Sequence, residues 1–360
     1  MSLFALDPDT WARIARDGTP AFAYDLGVAR DAFAGLRKVL PDRVRLAYAV
    51  KANPHPALLR RFCVLGASFD CASAGEMMRL ADMARDRLFF AGPGKRKEEL
   101  DLALGLGARV QADGWEDLER LEGLAKGPVA VNLRVHPMGG IEEERSIIGG
   151  TGPSAFGVDE ERLPTLLHRA RSLRKVAIRG LHVFAASNER DASRLLATHA
   201  RVMAIAKDLQ DALGAPLDAP ALGRGLGLLL EDNPWFRGEL VLEPGRYLAA
   251  SCGVYLTRVV RVKESRGVRF VILEGGVNHL LRPLLTGQPF PTRAVGIEGK
   301  GRPATLAGPL CTSLDRLGEV DLPEVGPGDL LAMGMAGAYG FTEAMTPFLS
   351  HPPPREVWEG

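Results

Sequence analysis

Three segments of this chain set chemically capable side chains directly after short apolar runs. AYAVKANP leads into Lys51, APALGRGLG leads into a glycine-rich loop at 223–227, and ELVLEPGR leads into Glu243 and Arg246. A lysine amine changes its protonation readily with its surroundings, so it can act as a base or a nucleophile where arginine cannot. Glycines let backbone N–H groups come close to an anion such as a phosphate. Further candidates stand at comparable places: Asp70 with Glu76 one turn later, Arg134 in VAVNLRVH, the FAASN segment, and Cys311 in GPLCTSLD. A thiol reacts only where its environment tunes it. Cys63, Cys71 and Cys252 show no CxxC or disulfide-framework spacing and read as reduced structural thiols. No metal ligands are assigned.

The elements that must position these groups alternate between strand and helix. Short β-rich runs fall at 45–50, 67–71, 88–91, 109–112, 129–136, 178–185, 219–223 and 239–243. Amphipathic stretches such as AGEMMRLADMA and WEDLERLEGLA lie between them. Eight β-plus-α units in some 200 residues predict a (β/α)8 barrel, whose chemistry gathers at the C-terminal ends of the strands. Lys51, Glu243 and the glycine loop all occupy such ends. After Arg246 the helical period disappears, and strand-like runs such as GVYLTRVVRVKES and VRFVILEGG are separated by Gly, Pro and charged turns. The expected domains are therefore a barrel at 26–246 and an all-β domain from 1–25 plus 247–360, with FAYDL adding a strand from the N-terminal side.

Composition narrows the function classes. The chain has 360 residues, 46% hydrophobic and 25% charged, with a formal net charge of +1. That balance belongs to a folded globular protein. The charges are interspersed without a basic stripe, which argues against a nucleic-acid partner. No apolar run reaches the roughly 18 residues of a membrane span, and the start carries acids instead of a cleavable apolar segment. A cytoplasmic location without membrane attachment is expected.

YAVKAN at 48–53, FDCASAGE at 69–76, GPGK at 92–95, FGV at 156–158 and GLHVFAAS at 180–187 follow one another in order. GRGLG at 223–227, EPGR at 243–246, GPLCTSLD at 308–315 and GAYG at 337–340 complete the series. On these segments, which span nearly the whole chain, the protein resembles the fold-type III pyridoxal-phosphate decarboxylases. That family includes diaminopimelate and ornithine decarboxylases and is related more distantly to alanine racemase. The resemblance implies an α/β fold: an N-terminal cofactor-binding (β/α)8 TIM barrel of the alanine racemase type with a C-terminal all-β domain. It also implies a homodimer with shared active sites and pyridoxal 5'-phosphate as cofactor.

By the same resemblance, Lys51 holds the cofactor as a Schiff base, and Gly223, Gly225, Ser187, Gly245, Arg246 and Tyr339 surround its phosphate. Arg224 replaces the middle one of three glycines usual in the family. Glu243 faces the pyridine nitrogen and keeps it protonated, so that the ring accepts electrons from Cα; the racemase branch has an arginine there. Phe184 takes the place of a histidine that usually lies against the ring. Cys311 reaches across the dimer interface and protonates Cα after carbon dioxide leaves. Asp315 completes the partner's site or holds the loop.

The substrate follows from what is missing. Ornithine-type enzymes place an acid after the cysteine; here it is Thr312, and the second acid position falls near Gly287. Diaminopimelate decarboxylases bind a distal carboxylate through an RPxLY arginine; this chain keeps RPLLT, with Arg282 in that place. The implied activity is α-decarboxylation of an L-amino acid, or of an acylated or carrier-bound derivative, lacking a free distal amine. The motifs lie nearest the carrier-protein, exosortase-associated and siderophore branches, with delivery by a carrier protein left open. The alternatives are a racemase on the same fold, a diaminopimelate decarboxylase, and a non-catalytic relative that binds a protein partner.

Overall fold

The structure is a computed structural model and describes residues 2–138, 152–184, 192–213 and 230–360. The chain divides into two compact units. A strand-rich unit comprises Met1–Ala34, Lys51–Arg61 and Gly245–Gly360, and a barrel unit comprises Gly35–Val50 and Phe62–Pro244. Among the described residues no helix is long and apolar enough to cross a membrane.

After β1 (Ala21–Asp25), which belongs to the strand-rich unit, come the strands of the barrel unit. These are β2 (Val44–Ala49), β3 (Ser68–Cys71), β4 (Leu88–Phe90), β5 (Arg109–Ala112) and β6 (Val129–His136). The two-residue β7 (Val158–Asp159), β8 (Val176–Val183) and β9 (Leu240–Leu242) follow. The strands are parallel and run in the order β9, β2, β3, β4, β5, β6, with β7 and β8 both bonded to β6. Seven of them lie where the sequence expects a strand; β7 is an addition, and the run at 219–223 lies outside the described residues. Parallel strands covered on both faces need nearly continuous apolar runs. Ala47, Tyr48, Val131 and Leu133 are accordingly fully buried. Helices supply the crossovers. The helix Lys97–Leu106 opens with a Glu99 carboxylate accepting the Arg96 N–H and closes on Gly107 at φ 71°, a left-handed stop suited to glycine.

The strand-rich unit is built from β1 and seven later strands: β10 (Gly253–Ser265), β11 (Val268–Leu273), β12 (Thr292–Ala294), β13 (Arg302–Ala307), β14 (Arg316–Leu322), β15 (Leu330–Met333) and β16 (Arg355–Glu359). Their order is β12, β15, β10, β11, β13, β14. β1 joins antiparallel to β10 and parallel to β16, so both ends of the chain enter one sheet. The helix Pro8–Arg16 closes one side by pressing Trp11, Ile14 and Ala15 onto Ala23, Val254, Leu256 and Ala332. Trp11 is 1% exposed and donates its indole N–H to Ala5 O at 2.9 Å. Truncating a buried tryptophan of this kind costs about 3–5 kcal/mol.

Candidate active site

Within the barrel unit, polar side chains interrupt otherwise apolar strands. Glu243 directly follows β9. Its Oε1 accepts a hydrogen bond from Gln111 Nε2 at 3.2 Å, and its Oε2 lies 3.3 Å from His182 Nε2. Gln111 sits on β5 and pairs in register with Asn132 on β6; two residues further along β6, Arg134 pairs with His182 on β8. Strands of one sheet thus deliver four buried polar groups to one region, because residues two apart share a face. Burial lowers the Arg134 pKa, opposed by the charges of Asp113 and Glu243. Its guanidinium is 3.6 Å from Asp113 and 4.4 Å over the Phe156 ring.

The GPGK segment supports this region without presenting a reactive atom. Lys95 is buried and donates to Gly92 O at 2.6 Å, Asp113 Oδ2 at 2.6 Å and Asp117 Oδ2 at 3.0 Å. Asp113 Oδ1 in turn accepts the Gly157 N–H of the FGV turn at 2.9 Å.

In the strand-rich unit, Lys51 is exposed in the turn Val50–Ala52, between two buried neighbours. That turn is tied to GAYG: Tyr339 N–H donates to Ala52 O at 2.8 Å, and Asn53 Nδ2 donates to Gly337 O at 3.0 Å. A Cβ on Gly337 would lie 2.0 Å from Ala249 O, so only glycine lets this loop meet the helix Arg246–Ala249. Tyr339 itself holds φ 55°, the left-handed region, at a cost of roughly 1–2 kcal/mol. Its ring lies between two guanidinium groups, Arg246 at 4.9 Å and Arg282 at 4.7 Å. Arg282 pairs with Glu343 at 2.8 Å, whereas Arg282 Nε and Glu343 Oε2 are buried with no hydrogen-bond partner among the described residues. Burial lowers the Arg246 pKa, and the like charge of Arg282 lowers it further.

The loop between β13 and β14 carries GPLCTSLD. Asp315 is 3% exposed, and its two oxygens accept the N–H groups of Val277 at 2.8 Å and Leu310 at 2.7 Å. Cβ atoms on Gly276 or Gly308 would lie 1.9 Å and 2.3 Å from this carboxylate, so both positions need glycine. Asp315 therefore holds the loop. Thr312 is half-buried and donates its N–H to Leu310 O at 2.8 Å. Cys311 is the exposed one of the four cysteines.

These residues fit pyridoxal phosphate. Within the strand-rich unit, an exposed amine at Lys51 and two arginines facing one phenol suit an aldehyde and a phosphate; within the barrel unit, the Glu243 carboxylate, bonded by Gln111, suits a ring nitrogen. Arg246 in particular is a desolvated cation without a hydrogen-bond acceptor among the described residues, the state that an anion relieves. Gly245 is buried immediately before Arg246, and Phe184 is half-buried one residue beyond β8. Ser187, Gly223 and Gly225 lie outside the described residues. Gln111, Asn132, His182 and Glu343 escape sequence reasoning. The first three are single polar residues inside barrel strands, a signal too weak to single them out; Glu343 carries no such signal.

The family model for the pyridoxal binding domain of pyridoxal-dependent decarboxylases matches residues 27–236. The chain is 34% identical over 359 residues to the diaminopimelate decarboxylase of Deinococcus radiodurans, covering 96% of this chain and 91% of that relative. It is 28% identical over 383 residues to the L-glutamyl-(BtrI acyl-carrier protein) decarboxylase of Niallia circulans, covering 94% and 88%. Among solved structures, diaminopimelate decarboxylase from Helicobacter pylori complexed with L-lysine superposes with a TM-score of 0.87 at 25% identity, covering 97% of this chain and 94% of that one.

Proposed function

The chain belongs to the pyridoxal-dependent decarboxylases, and from that premise we propose that its substrate is an L-amino acid, acylated or carrier-bound, whose far end has no free amine. Enzyme class and cofactor follow from the family: this is a pyridoxal-phosphate-dependent carboxy-lyase. When bound, the cofactor supplies an electron-accepting ring that makes loss of the α-carboxylate feasible. Lys51 supplies the amine that carries it. Glu243 accepts the proton-bearing ring nitrogen as a hydrogen-bond donor, and Arg246 with Tyr339 holds the phosphate. In a homodimer, the partner subunit's Cys311 delivers the proton to Cα, and Asp315 of each chain keeps that loop in shape.

The observation that carries the substrate reading is Thr312 beside the cysteine, where a diamine-forming enzyme needs an acid. Arg282 remains to receive a carboxylate, amide or carrier-linked end. The carrier-protein decarboxylase of Niallia circulans is a relative with such a substrate in its name. A second reading, diaminopimelate itself, is favoured by Glu343 Oε2: an open acceptor beside Arg282 suits a distal end with both amine and carboxylate. Carbon dioxide release from L-glutamate, N-acylated and carrier-linked glutamate, meso-diaminopimelate, lysine and ornithine separates them. Turnover of the derivatives supports the first reading, and preference for meso-diaminopimelate replaces it with the second. Efficient turnover of lysine or ornithine would sink both. A Lys51→Ala protein with wild-type turnover would overturn the assigned role of the lysine.

A further inference from the structure

Resting on the role proposed above for Glu243, we infer that Gln111 and Asn132 form a positioning relay that fixes this carboxylate as an acceptor, with Arg109 anchoring the far end. Three hydrogen bonds run in one direction through the barrel. Arg109 Nη1 donates to Asn132 Oδ1 at 3.5 Å, Asn132 Nδ2 to Gln111 Oε1 at 3.1 Å, and Gln111 Nε2 to Glu243 Oε1 at 3.2 Å. The two ends dictate the orientation of both amides. A guanidinium can only donate and an ionised carboxylate can only accept, so turning either amide over would set donor against donor or acceptor against acceptor. Aligned in series, the amide dipoles strengthen one another and direct their positive ends at Glu243.

The placement is selective. Gln111 and Asn132 are 2% and 3% exposed, where a barrel interior ordinarily holds branched apolar residues. Elsewhere in the same interior Ala47, Phe89 and Val241 form an apolar cluster. Buried amides are costly unless bonded, and here each amide spends its bonds on the line that ends at Glu243. That line starts at a cavity of about 220 Å³ lined by Arg45, Phe89, Arg109, Asn132, Glu239 and Val241, at the opposite end of the strands from Glu243. His182 at 3.3 Å braces the other carboxylate oxygen. Glu243 is thereby bonded at Oε1 and contacted at Oε2 from within the barrel.

The test uses holoenzyme loaded with pyridoxal phosphate carrying nitrogen-15 in the ring, whose resonance reports how far the ring nitrogen is protonated. Glu243→Gln is the reference and should move the resonance towards the unprotonated ring. Gln111→Met, an apolar near-isostere, should move it part of the way in the same direction. It should also raise the cofactor dissociation constant about tenfold, the scale of one lost hydrogen bond to a charged acceptor. Arg109→Met, on the cavity wall, should give a smaller shift of the same sign, and it serves if Gln111→Met does not fold. A merely structural role for the amides would lower thermal stability and leave the resonance in place. If Glu243→Gln shifts the resonance and neither relay variant does, the relay is wrong. If Glu243→Gln leaves it unmoved, the role of Glu243 itself falls.

Discussion

Asp315→Ala offers a sharp test of how the cysteine loop is held. The substitution removes both acceptors of a carboxylate that receives the Val277 and Leu310 N–H groups, each within 2.8 Å. Hydrogen bonds to a charged acceptor are worth about 1.5–3 kcal/mol each, and the buried donors left behind have no substitute. Desolvation of Asp315, which raises its pKa, offsets part of that gain in the native protein. A net loss of about 2–4 kcal/mol remains. For a unit of this size each kcal/mol moves the melting temperature by roughly 2–4 °C, so differential scanning fluorimetry should show a fall of about 4–16 °C. Because Cys311 rides on the same loop, kcat should fall by roughly a hundredfold, the scale of an ångström-level misplacement. Gly308→Ala should act alike from the other side, driving a methyl group into the carboxylate 2.3 Å away. An Asp315→Ala protein melting within about a degree of wild type would refute the clamp, since two buried N–H groups cannot lose their acceptors at no cost.

Glu122 accepts the N–H groups of Arg174, Lys175 and Val176, and these bonds, that of Val176 foremost, hold its pKa below the ordinary glutamate value. A depressed pKa means its contribution is whole above about pH 4.5 and disappears as pH falls through the lowered value. Glu122→Gln should therefore flatten the acid limb of a melting-temperature profile; an unchanged limb would exclude the contribution. Arg246→Gln should weaken cofactor binding roughly ten- to hundredfold, measured by absorbance titration, while apoprotein melting stays nearly unchanged because the guanidinium gives up no acceptor. Iodoacetamide should add once per native chain, at Cys311. Burial pushes the Cys71 thiol up and the Cys252 thiol to about 12, and Cys63 donates to Met83 O. Peptide mass analysis showing adducts at Cys71 or Cys252 would contradict their burial, and an adduct at the half-buried Cys63 would show that its bond to Met83 O does not protect it.

The barrel was legible because its strands are short, continuous apolar runs set between amphipathic helices. Lys51, Glu243 and Arg246 stood out for the same reason, as charge placed where an apolar run stops. Gln111, Asn132 and His182 did not, since a single polar residue within a buried run leaves the apolar period intact. Their roles emerge only when the register sets Gln111 opposite Asn132 and Arg134 opposite His182. Asp315 shows the converse. Its motif announces it, but its sequence does not distinguish a group facing substrate from one facing its own loop. Glu343 follows GAYG through a short 3-10 turn, and its pairing with Arg282 crosses 61 residues that no local pattern links.

Motif residues divide by how much of their bonding capacity the fold already consumes. An ammonium has three donors, and Lys95 places one on each of Gly92, Asp113 and Asp117, so nothing remains for a ligand. Asp315 spends both oxygens on backbone N–H groups, and Asn53 spends its amide on Gly337 and His55. Arg246 lies at the other extreme, desolvated and stacked on Tyr339 without an acceptor among the described residues. Arg282 and Glu343 are intermediate, joined by one bond and each left with a buried polar atom unmet. A fold tolerates unmet buried polar atoms only sparingly, because each costs about 1–3 kcal/mol. At Arg282, 4.7 Å over the Tyr339 ring, and at its partner Glu343, a bound donor or acceptor would recover bonding that the fold leaves unmade.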